Sequence, residues 1–206
     1  QVRIFDSALD ATAIESLYNE KPAVNTFNFE TVLYNGTSSD RYVSNVRFQP
    51  DLVWIKRRNS TNAAVIQDSA RGENNYLMPS STNAQASNAS FDSFEANGFE
   101  LTASGGSWNN SAGTYVAWCW KGGGDAVNNT DGNITSQVSA NQDAGFSIVK
   151  WTSTGSGASA KTVGHGLSST PEMIILKNAS ATASWRVYHS GIPSPNNSLA
   201  LNSDEI

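Results

Sequence analysis

The chain has 206 residues, enough for one large domain or two of ordinary size, and carries 13 lysines and arginines against 18 aspartates and glutamates. A formal net charge of −5 argues against a nucleic-acid-binding protein, which presents a basic face, and offers no attraction to anionic membranes. Short apolar runs between asparagine, serine, threonine and glycine are typical of all-β extracellular or virion proteins, and no run reaches the roughly 20 apolar residues of a membrane-spanning helix.

The first 22 residues differ in texture from the rest of the chain. QVRIF alternates like a strand, and DSALDATAIESLYNE predicts a short helix with Asp10 as N-cap and Ile14, Leu17 and Tyr18 on one face. Such a piece buries no core alone, and the chain does not begin with Met, so we expect an excerpt of a longer or processed protein. The segment resembles the closing strand and helical turn of laminin-G or concanavalin-A-like jelly-roll domains.

From Thr26 onward the sequence predicts short strands separated by turn residues. The predicted strands cover residues 30–36, 43–48, 51–58, 63–69, 94–103 and 114–122. Asn97 and Gly98, between apolar flanks, give the strongest hairpin signal, and Pro50 is expected at a strand start. Three glycines at 122–124 end this unit, and the Asn/Asp/Gly-rich DAVNNTDGNITS indicates a loop or linker.

A long internal repeat follows. FQPDLVWIKRRN returns as STPEMIILKNAS, which aligns Pro50 with Pro171 and Lys56 with Lys177 at an offset of 171 − 50 = 121 residues. That offset has the length of a domain rather than of a solenoid repeat. GFSIVKWTST matches ETVLYNGTSS, SWRVYHSG matches AAVIQDSA, and SLALNS matches YLMPSS, all in the same order. Counterparts of FEANGFEL and YVAWCWKG are missing, so the second copy is predicted to be about half a domain.

The predicted fold is all-β: tandem antiparallel β-sandwich modules, preceded by a strand and short helix left from a laminin-G-like jelly roll. The predicted units are 1–22, the end of that jelly roll; 26–124, the first module; 125–144, a linker; and 145–206, the incomplete second module. An unfinished sheet leaves an open edge and an uncovered apolar face. We therefore expect either that the polypeptide continues past Ile206 or that neighbouring chains close the sandwich.

Several phrases resemble a family of tail-fibre and virion proteins of marine and cyanobacterial phages. They are FQPDLVWIKRRN, VIQDSARG, FDSFEANGFEL, GTYVAWCWKGGG and VGHGL followed by TPEMIILKN. In that family such modules follow a laminin-G-like domain, the order found here. The resemblance implies an extracellular place on the virion, in a tail or surface fibre. It also implies a homo-oligomer, usually a trimer, whose partners are other virion proteins and host surface polysaccharide, with no cofactor and no established catalytic residue.

The residues themselves offer few elements of catalysis. Cys119, the only cysteine, lies in the apolar run TYVAWCWKG, which favours a buried, inert thiol and excludes an intrachain disulfide. His165 in VGHGL favours a turn imidazole bonded to the backbone, and two histidines with one cysteine make no standard zinc site. The loop DGNITSQ has some character of a calcium loop but lacks the carboxylate spacing of an EF-hand.

Glycoside hydrolysis requires two carboxylates at a fixed separation. The candidates are Asp68, Asp92, Glu95 and Glu100. Asp68 is replaced by His189 in the second copy, and an ion pair with Arg71 across the turn is favoured for it. No carboxylate pair stands out, so the sequence predicts no enzyme.

Sugar recognition requires an aromatic platform with polar neighbours on a loop. Tryptophans within predicted strands are more typical of a core or an interface. Trp108 differs, because it lies in GGSWNNSAG among small polar residues, where it either is exposed or folds back over a sheet end. With Asn109 and Asn110 it forms the candidate carbohydrate-binding site.

Three functions compete on these observations. The first is a non-enzymatic phage virion structural protein, a tail-fibre or adhesin segment that attaches to the host. The alternative is a carbohydrate-binding module appended to a secreted enzyme or adhesin, and a polysaccharide depolymerase is less favoured. Oligomeric state separates the first two, because phage fibres are usually trimers, and a depolymerase would lose activity on removal of one carboxylate.

Overall fold

A computed structural model of the chain describes residues 8–12, 14, 27–103, 106–155, 160–194 and 196–203. The elements are β1 (Phe29–Asn35), β2 (Arg41–Val43), β3 (Leu52–Arg57), β4 (Val65–Asp68), β5 (Asn75–Tyr76), β6 (Ala86–Ser87), β7 (Phe91–Glu95), β8 (Gly98–Leu101), a 3-10 turn (Gly106–Trp108), β9 (Thr114–Trp120), β10 (Val127–Asn129), β11 (Ser136–Asn141), β12 (Phe146–Trp151), β13 (Met173–Leu176) and β14 (Arg186–His189). All pairings between these strands are antiparallel, which confirms the all-β class.

The N-terminal segment is described in part. The backbone is helical at residues 11, 12 and 14, where the Ile14 N–H donates to the Asp10 carbonyl at 3.0 Å. Ile14 is exposed. The predicted strand QVRIF and the helix residues Leu17 and Tyr18 lie outside the described residues, and the jelly-roll remnant stays a prediction.

Two sheets form the first sandwich, one in the order β1-β9-β3-β4 and the other in the order β2-β8-β7. The sequence of β9, TYVAWCW, explains its central place, because Tyr115, Ala117 and Cys119 alternate along one face and are fully buried. Trp118 and Trp120 lie on the opposite face and are half-buried. Facing sheets of alternating apolar residues thus enclose one core.

Aromatic rings fill much of this core. Phe91 and Phe99 stack with centroids 5.5 Å apart, and Tyr34 stacks on Tyr115 at 4.9 Å. The predicted hairpin is confirmed, since Ala96 and Asn97 connect β7 to β8 and Gly98, the first residue of β8, pairs with Glu95.

The strand predicted over 43–48 is wrong beyond its first residue, because β2 ends at Val43. Asn45 has a φ of 76°, a left-handed conformation that a strand does not accommodate. The chain bends there, yet Val46 and Phe48 still enter the core. The apolar pattern therefore predicted burial correctly and strand length incorrectly.

The second copy of the repeat forms the same hairpin as the first. β13 pairs with β14 so that Met173 faces His189, at the register in which Leu52 of β3 faces Asp68 of β4. Every later pair in the two hairpins is also related by the 121-residue offset of the sequence repeat.

Hydrogen bonds around the two hairpins repeat as well. The Ser69 N–H donates to the Asp51 carbonyl at 2.9 Å, and the Ser190 N–H donates to the Glu172 carbonyl at 2.8 Å. Reciprocal backbone bonds join Ile66 to Leu77 in the first copy and Val187 to Leu199 in the second. Lys56 Nζ donates to the Ser60 carbonyl, and Lys177 Nζ donates to that of Ala181. The two copies of the repeated sequence therefore form the same local structure.

Residues 125–144, predicted as a linker, contain strands β10 and β11, which pair with each other and, through β11, with β12. Val138 and Ser139 of β11 are buried. The Asn/Asp-rich composition instead reflects the turn between β10 and β11, where the Asp131 N–H donates to Asn129 Oδ1 at 3.1 Å.

A tight joint connects the first sandwich to β11. The carboxylate of Asp51, which is 2 % exposed, accepts hydrogen bonds from the Gly122 N–H at 2.7 Å and from Ser69 Oγ at 3.1 Å. The Gly123 N–H donates to Ser139 Oγ at 2.9 Å. A Cβ at Gly122 would lie 2.7 Å from Ser139 Oγ and 2.9 Å from the Cβ of Asp51, so only glycine fits.

The two copies also contact each other directly. Trp185, 4 % exposed, packs with Ile66 and Leu77 of the first copy in a second apolar cluster. Its indole N–H donates to the carbonyls of Met78 at 3.0 Å and Ser81 at 3.1 Å. None of the helical residues in the described ranges forms a helix long and apolar enough to cross a membrane.

Candidate functional site

Trp108 does not form the predicted exposed platform. The indole is 5 % exposed and belongs to the core of the first sandwich, where it meets the Tyr76 ring edge-on with centroids 5.1 Å apart. Its carbonyl accepts a hydrogen bond from the Tyr34 hydroxyl at 3.0 Å. The small polar neighbours of Trp108 let the chain turn sharply, and the indole folds back over the sheet end, because apolar partners distant in sequence lie there.

The two asparagines that follow also have structural partners. Asn109, 1 % exposed, accepts the Thr37 N–H at 2.9 Å and donates through Nδ2 to the Ser39 carbonyl at 2.7 Å. Asn110 is exposed, but its Oδ1 accepts the Ala112 N–H at 3.0 Å. These bonds stabilise the loop. Trp108, Asn109 and Asn110 therefore leave no aromatic face for a sugar.

The carboxylate of Asp68 forms the predicted ion pair. Arg71 Nε lies 2.6 Å from Asp68 Oδ2, with both side chains less than one-tenth exposed, and the guanidinium also donates to the Ile66 carbonyl at 3.0 Å. Asp92 and Glu100 line a different place, a cleft of about 270 Å³. Two of the four candidate carboxylates therefore share one cleft, whereas Asp68 lies apart from them in its ion pair.

The histidines accept backbone hydrogen bonds. His165 Nδ1 accepts the Leu167 N–H at 3.1 Å, which confirms the predicted turn imidazole. His189 Nδ1 accepts the Gly191 N–H at 3.0 Å. At the equivalent position of the first copy, the Asp68 carboxylate accepts the Arg71 N–H at 2.9 Å. An imidazole thus replaces a carboxylate as turn acceptor. The described residues contain no group of three His, Cys, Asp or Glu side chains that could hold a metal ion.

Cys119 is buried as predicted, with no exposed surface. Burial raises the pKa of its thiol to about 12, and the charge of Glu30 adds to the rise. The thiol therefore stays protonated at neutral pH, and a nucleophilic role is disfavoured.

An open groove of about 460 Å³ lies where β11 begins and β12 ends. Trp151, the last residue of β12, is 40 % exposed and faces Ser136 of β11 in the strand register. The polar side chains that line the groove with it belong to Asn133, Thr135, Gln137, Lys150, Thr152 and Thr154. An indole face beside amide, hydroxyl and ammonium groups is the combination by which proteins bind polar ring compounds, sugars among them.

Hydrogen bonds fix the floor and rim of this groove. Ser136 Oγ, which is buried, donates to the Gly164 carbonyl at 3.2 Å. Asn133 and Thr162 bond reciprocally, the Asn133 N–H to Thr162 Oγ1 at 3.0 Å and the Thr162 N–H to Asn133 Oδ1 at 2.8 Å. Gln137 donates to Asn128 Oδ1. The side chains of Asn133, Ser136 and Gln137 are therefore held in place before any ligand arrives, which lowers the entropy cost of binding.

The sequence reasoning missed Trp151, although a signal was present. Trp151 ends a predicted strand and precedes TSTGSGAS, a run of small polar residues like the one that drew attention to Trp108. Local composition alone does not separate the two tryptophans. The difference lies in the distant partners, since Trp108 meets a core and Trp151 meets solvent.

Comparison with known proteins gives one match. Residues 25–206 match a family model described as "Domain of unknown function (DUF7483)". The matched range includes both copies of the repeat. No curated protein and no solved structure matches the chain.

Proposed function

Since the chain belongs to the family described as "Domain of unknown function (DUF7483)", whose description assigns no activity, we propose a function from the fold and the groove. The protein is a non-enzymatic segment of a phage tail fibre or fibre-like adhesin. It attaches to the host surface by binding polysaccharide in the groove beside Trp151. The exposed indole of Trp151, set among polar side chains, is the observation that carries this proposal.

The chemistry of the groove supports a neutral or weakly charged sugar chain. One face of a pyranose ring is apolar and stacks on an indole, while its hydroxyls exchange hydrogen bonds with amide and hydroxyl groups. Asn133, Thr135 and Thr152 are exposed and supply both donors and acceptors. The open shape of the groove suits an extended polymer, which passes across it.

The fold supports the virion part of the proposal less directly. Tandem hairpins with the same register give a protein built by repetition, a common plan in fibres. The resemblance of the sequence phrases to phage tail-fibre proteins points the same way. A carbohydrate-binding module appended to a secreted enzyme or adhesin would use the same groove, so the two functions differ in assembly rather than in the site.

Binding by Trp151→Ala tests the groove. Fragments of bacterial surface polysaccharides, screened as an immobilised array, are expected to bind the chain, and the variant is expected to bind at least tenfold more weakly, about 1.4 kcal/mol. Trp151→Phe keeps an aromatic face and is expected to retain part of the affinity. Tyr42→Ala is the matched control, because Tyr42 is 42 % exposed and does not line the groove.

Two results would contradict the proposal. One is a chain that binds no polysaccharide fragment, and the other is binding that Trp151→Ala leaves unchanged. The mass of the binding-competent protein by light scattering then separates the two assemblies. A stable trimer supports a fibre, whereas a monomer supports the appended module.

A further inference from the structure

The groove beside Trp151 carries a positive charge that no negative charge accompanies. Among the described residues that line it, Lys150 is the only one whose side chain is charged. The other lining residues are apolar, aromatic, hydroxyl or amide residues. The chain as a whole has a formal net charge of −5, so the groove differs in sign from the protein around it.

The strand register surrounds Lys150 with uncharged side chains. Gln137 of β11 faces Lys150 directly, and Asn128 of β10 faces Gln137 from the other side. The diagonal neighbours in an antiparallel pair lie two residues along the partner strand, and here they are Thr135 and Ser139. In this part of the described sheet, no carboxylate therefore neutralises the Lys150 ammonium.

The ammonium of Lys150 is also free where those of two other lysines are occupied. Lys56 Nζ donates to the Ser60 carbonyl at 2.9 Å, and Lys177 Nζ donates to the Asn178 carbonyl at 2.8 Å. Lys150 is exposed and makes no hydrogen bond or ion pair with any other described residue. Its three N–H donors are therefore available to a ligand.

The acidic residues nearest in sequence lie away from the groove. Asp143 lies in the turn that connects β11 to β12, whereas the groove lies at the other end of these two strands. Each strand has six residues, so roughly 17–20 Å separates the two ends. Asp131 does not line the groove, and its Oδ2 accepts a hydrogen bond from Asn129 Nδ2 at 2.8 Å. An anionic ligand in the groove would thus meet an unopposed ammonium.

We propose that the groove selects acidic polysaccharide, with a sugar carboxylate paired to the Lys150 ammonium and a sugar ring stacked on Trp151. This inference rests on the proposed sugar binding and chooses the charged class among the neutral and weakly charged chains that suit the groove. Successive residues of a strand alternate in face, so a ligand that contacts both side chains spans the groove. A carboxylate matches one ammonium in charge, whereas a phosphate monoester carries about −1.5 to −2. The favoured sugar is therefore a uronic acid.

Carboxyl reduction separates the charge of a sugar from its shape. Fragments of bacterial surface polysaccharides that contain uronic acids are arrayed beside their carboxyl-reduced forms, which are neutral and keep the same ring configuration. The full 206-residue chain is expected to bind the acidic forms about threefold more tightly, as one exposed ion pair allows. The preference is expected to disappear between about 0.1 M and about 1 M salt, because the Debye length falls from about 10 Å to about 3 Å.

Three lysine variants assign the preference to one ammonium. Lys150→Gln removes the charge and is expected to bind the acidic and reduced forms equally, whereas Lys150→Arg keeps the charge and is expected to retain the preference. Lys161→Gln is the matched control, because it makes the same change in net charge at an exposed residue that does not line the groove. Lys161 directly precedes Thr162, which bonds to Asn133 at the rim, so the control lies close by. It is expected to keep most of the preference.

Two results would overturn this inference while the proposed function stands. One is equal binding of the acidic and reduced forms by the wild-type chain, with binding still weakened by Trp151→Ala. The other is an equal loss of the preference in Lys150→Gln and Lys161→Gln, which would assign it to net charge rather than to the groove. A chain that binds no fragment, acidic or reduced, would instead contradict both the inference and the proposed function.

Discussion

Cys119 shows how a single buried group makes stability depend on pH. The thiol lies near the end of β9 with no exposed surface, and burial raises its pKa from an ordinary value of 9.0 to about 12. The unfolded chain therefore releases this proton at a lower pH than the folded chain does. The stabilisation is fully present below pH 9 and is lost as the pH rises toward 12.

We expect the free energy of unfolding to fall between pH 9 and 10 by up to about 1.4 kcal/mol per pH unit on account of this thiol. Urea unfolding at several pH values measures the slope. Cys119→Ala removes the titrating group and should flatten the curve in this window. Above pH 10 the phenol of Tyr34 contributes in both proteins, because its burial also raises its pKa. Equal slopes below pH 10 would contradict the assignment.

Residue-level predictions succeeded where the partners are close in sequence. Asp68 and Arg71 are three positions apart, and His165 accepts a backbone N–H two positions on. The alternation within TYVAWCW likewise fixed the burial of Cys119. The burial of Trp108 could not be predicted in this way, since its partner Tyr76 is more than 30 residues away in the sequence. The composition of the loop around Trp108 gives no information about that partner.

The tight joint at Gly122 and Gly123 acts at the level of whole elements, because it sets how closely β11 approaches the start of β3. We expect Gly122→Ala to destabilise the protein by about 1–3 kcal/mol, the range for an overpacked site, because the new Cβ meets Ser139 Oγ and the Cβ of Asp51. Exchange over residues 136–141 should quicken. Chemical denaturation and hydrogen exchange measure the two effects.

A neighbouring glycine provides the control for this joint. Gly124 has a φ of 80°, and a Cβ there would meet no atom within 4 Å. Asparagine tolerates that left-handed conformation, so Gly124→Asn should cost much less than Gly122→Ala. Equal losses from the two variants would show that loop conformation, and not close approach, is what the joint requires.

Strand existence was easier to predict than strand limits or linkers. Apolar alternation and the Asn-Gly signal gave the strands of the first sandwich and the β7–β8 hairpin. The polar stretch at 125–144 gave no strand pattern, although it contains β10 and β11. These short strands have mostly polar side chains and are held by hydrogen bonds to neighbouring strands, so their sequences show little apolar alternation. The left-handed backbone conformation of Asn45 ends β2 early, and a hydrophobicity pattern does not reveal such a conformation.

At the scale of the whole molecule, Trp185 connects the two copies. We expect Trp185→Ala to loosen the second hairpin while the first sandwich stays folded, because the indole packs on Ile66 and Leu77 outside the main core. Removal of a buried tryptophan costs about 3–5 kcal/mol. Hydrogen exchange should therefore accelerate over residues 173–189 and remain slow over 114–120.

An exposed tryptophan gives the matched control for this contact. Trp151→Ala removes an equally large side chain from the surface and should leave the exchange rates of both regions as they are. Acceleration throughout the first sandwich in Trp185→Ala would show instead that the two copies unfold as one cooperative unit.

The pairing of β1 with β9 has a mechanical consequence. The chain comes into the first sandwich at Phe29 and leaves it at Trp120, and these residues face each other across the two strands. Just outside them, the Lys121 N–H donates to the Asn28 carbonyl at 2.8 Å. A force that pulls the two ends of the chain apart therefore loads these hydrogen bonds one after another instead of all at once. We expect the pairing of β1 with β9 to open at low force.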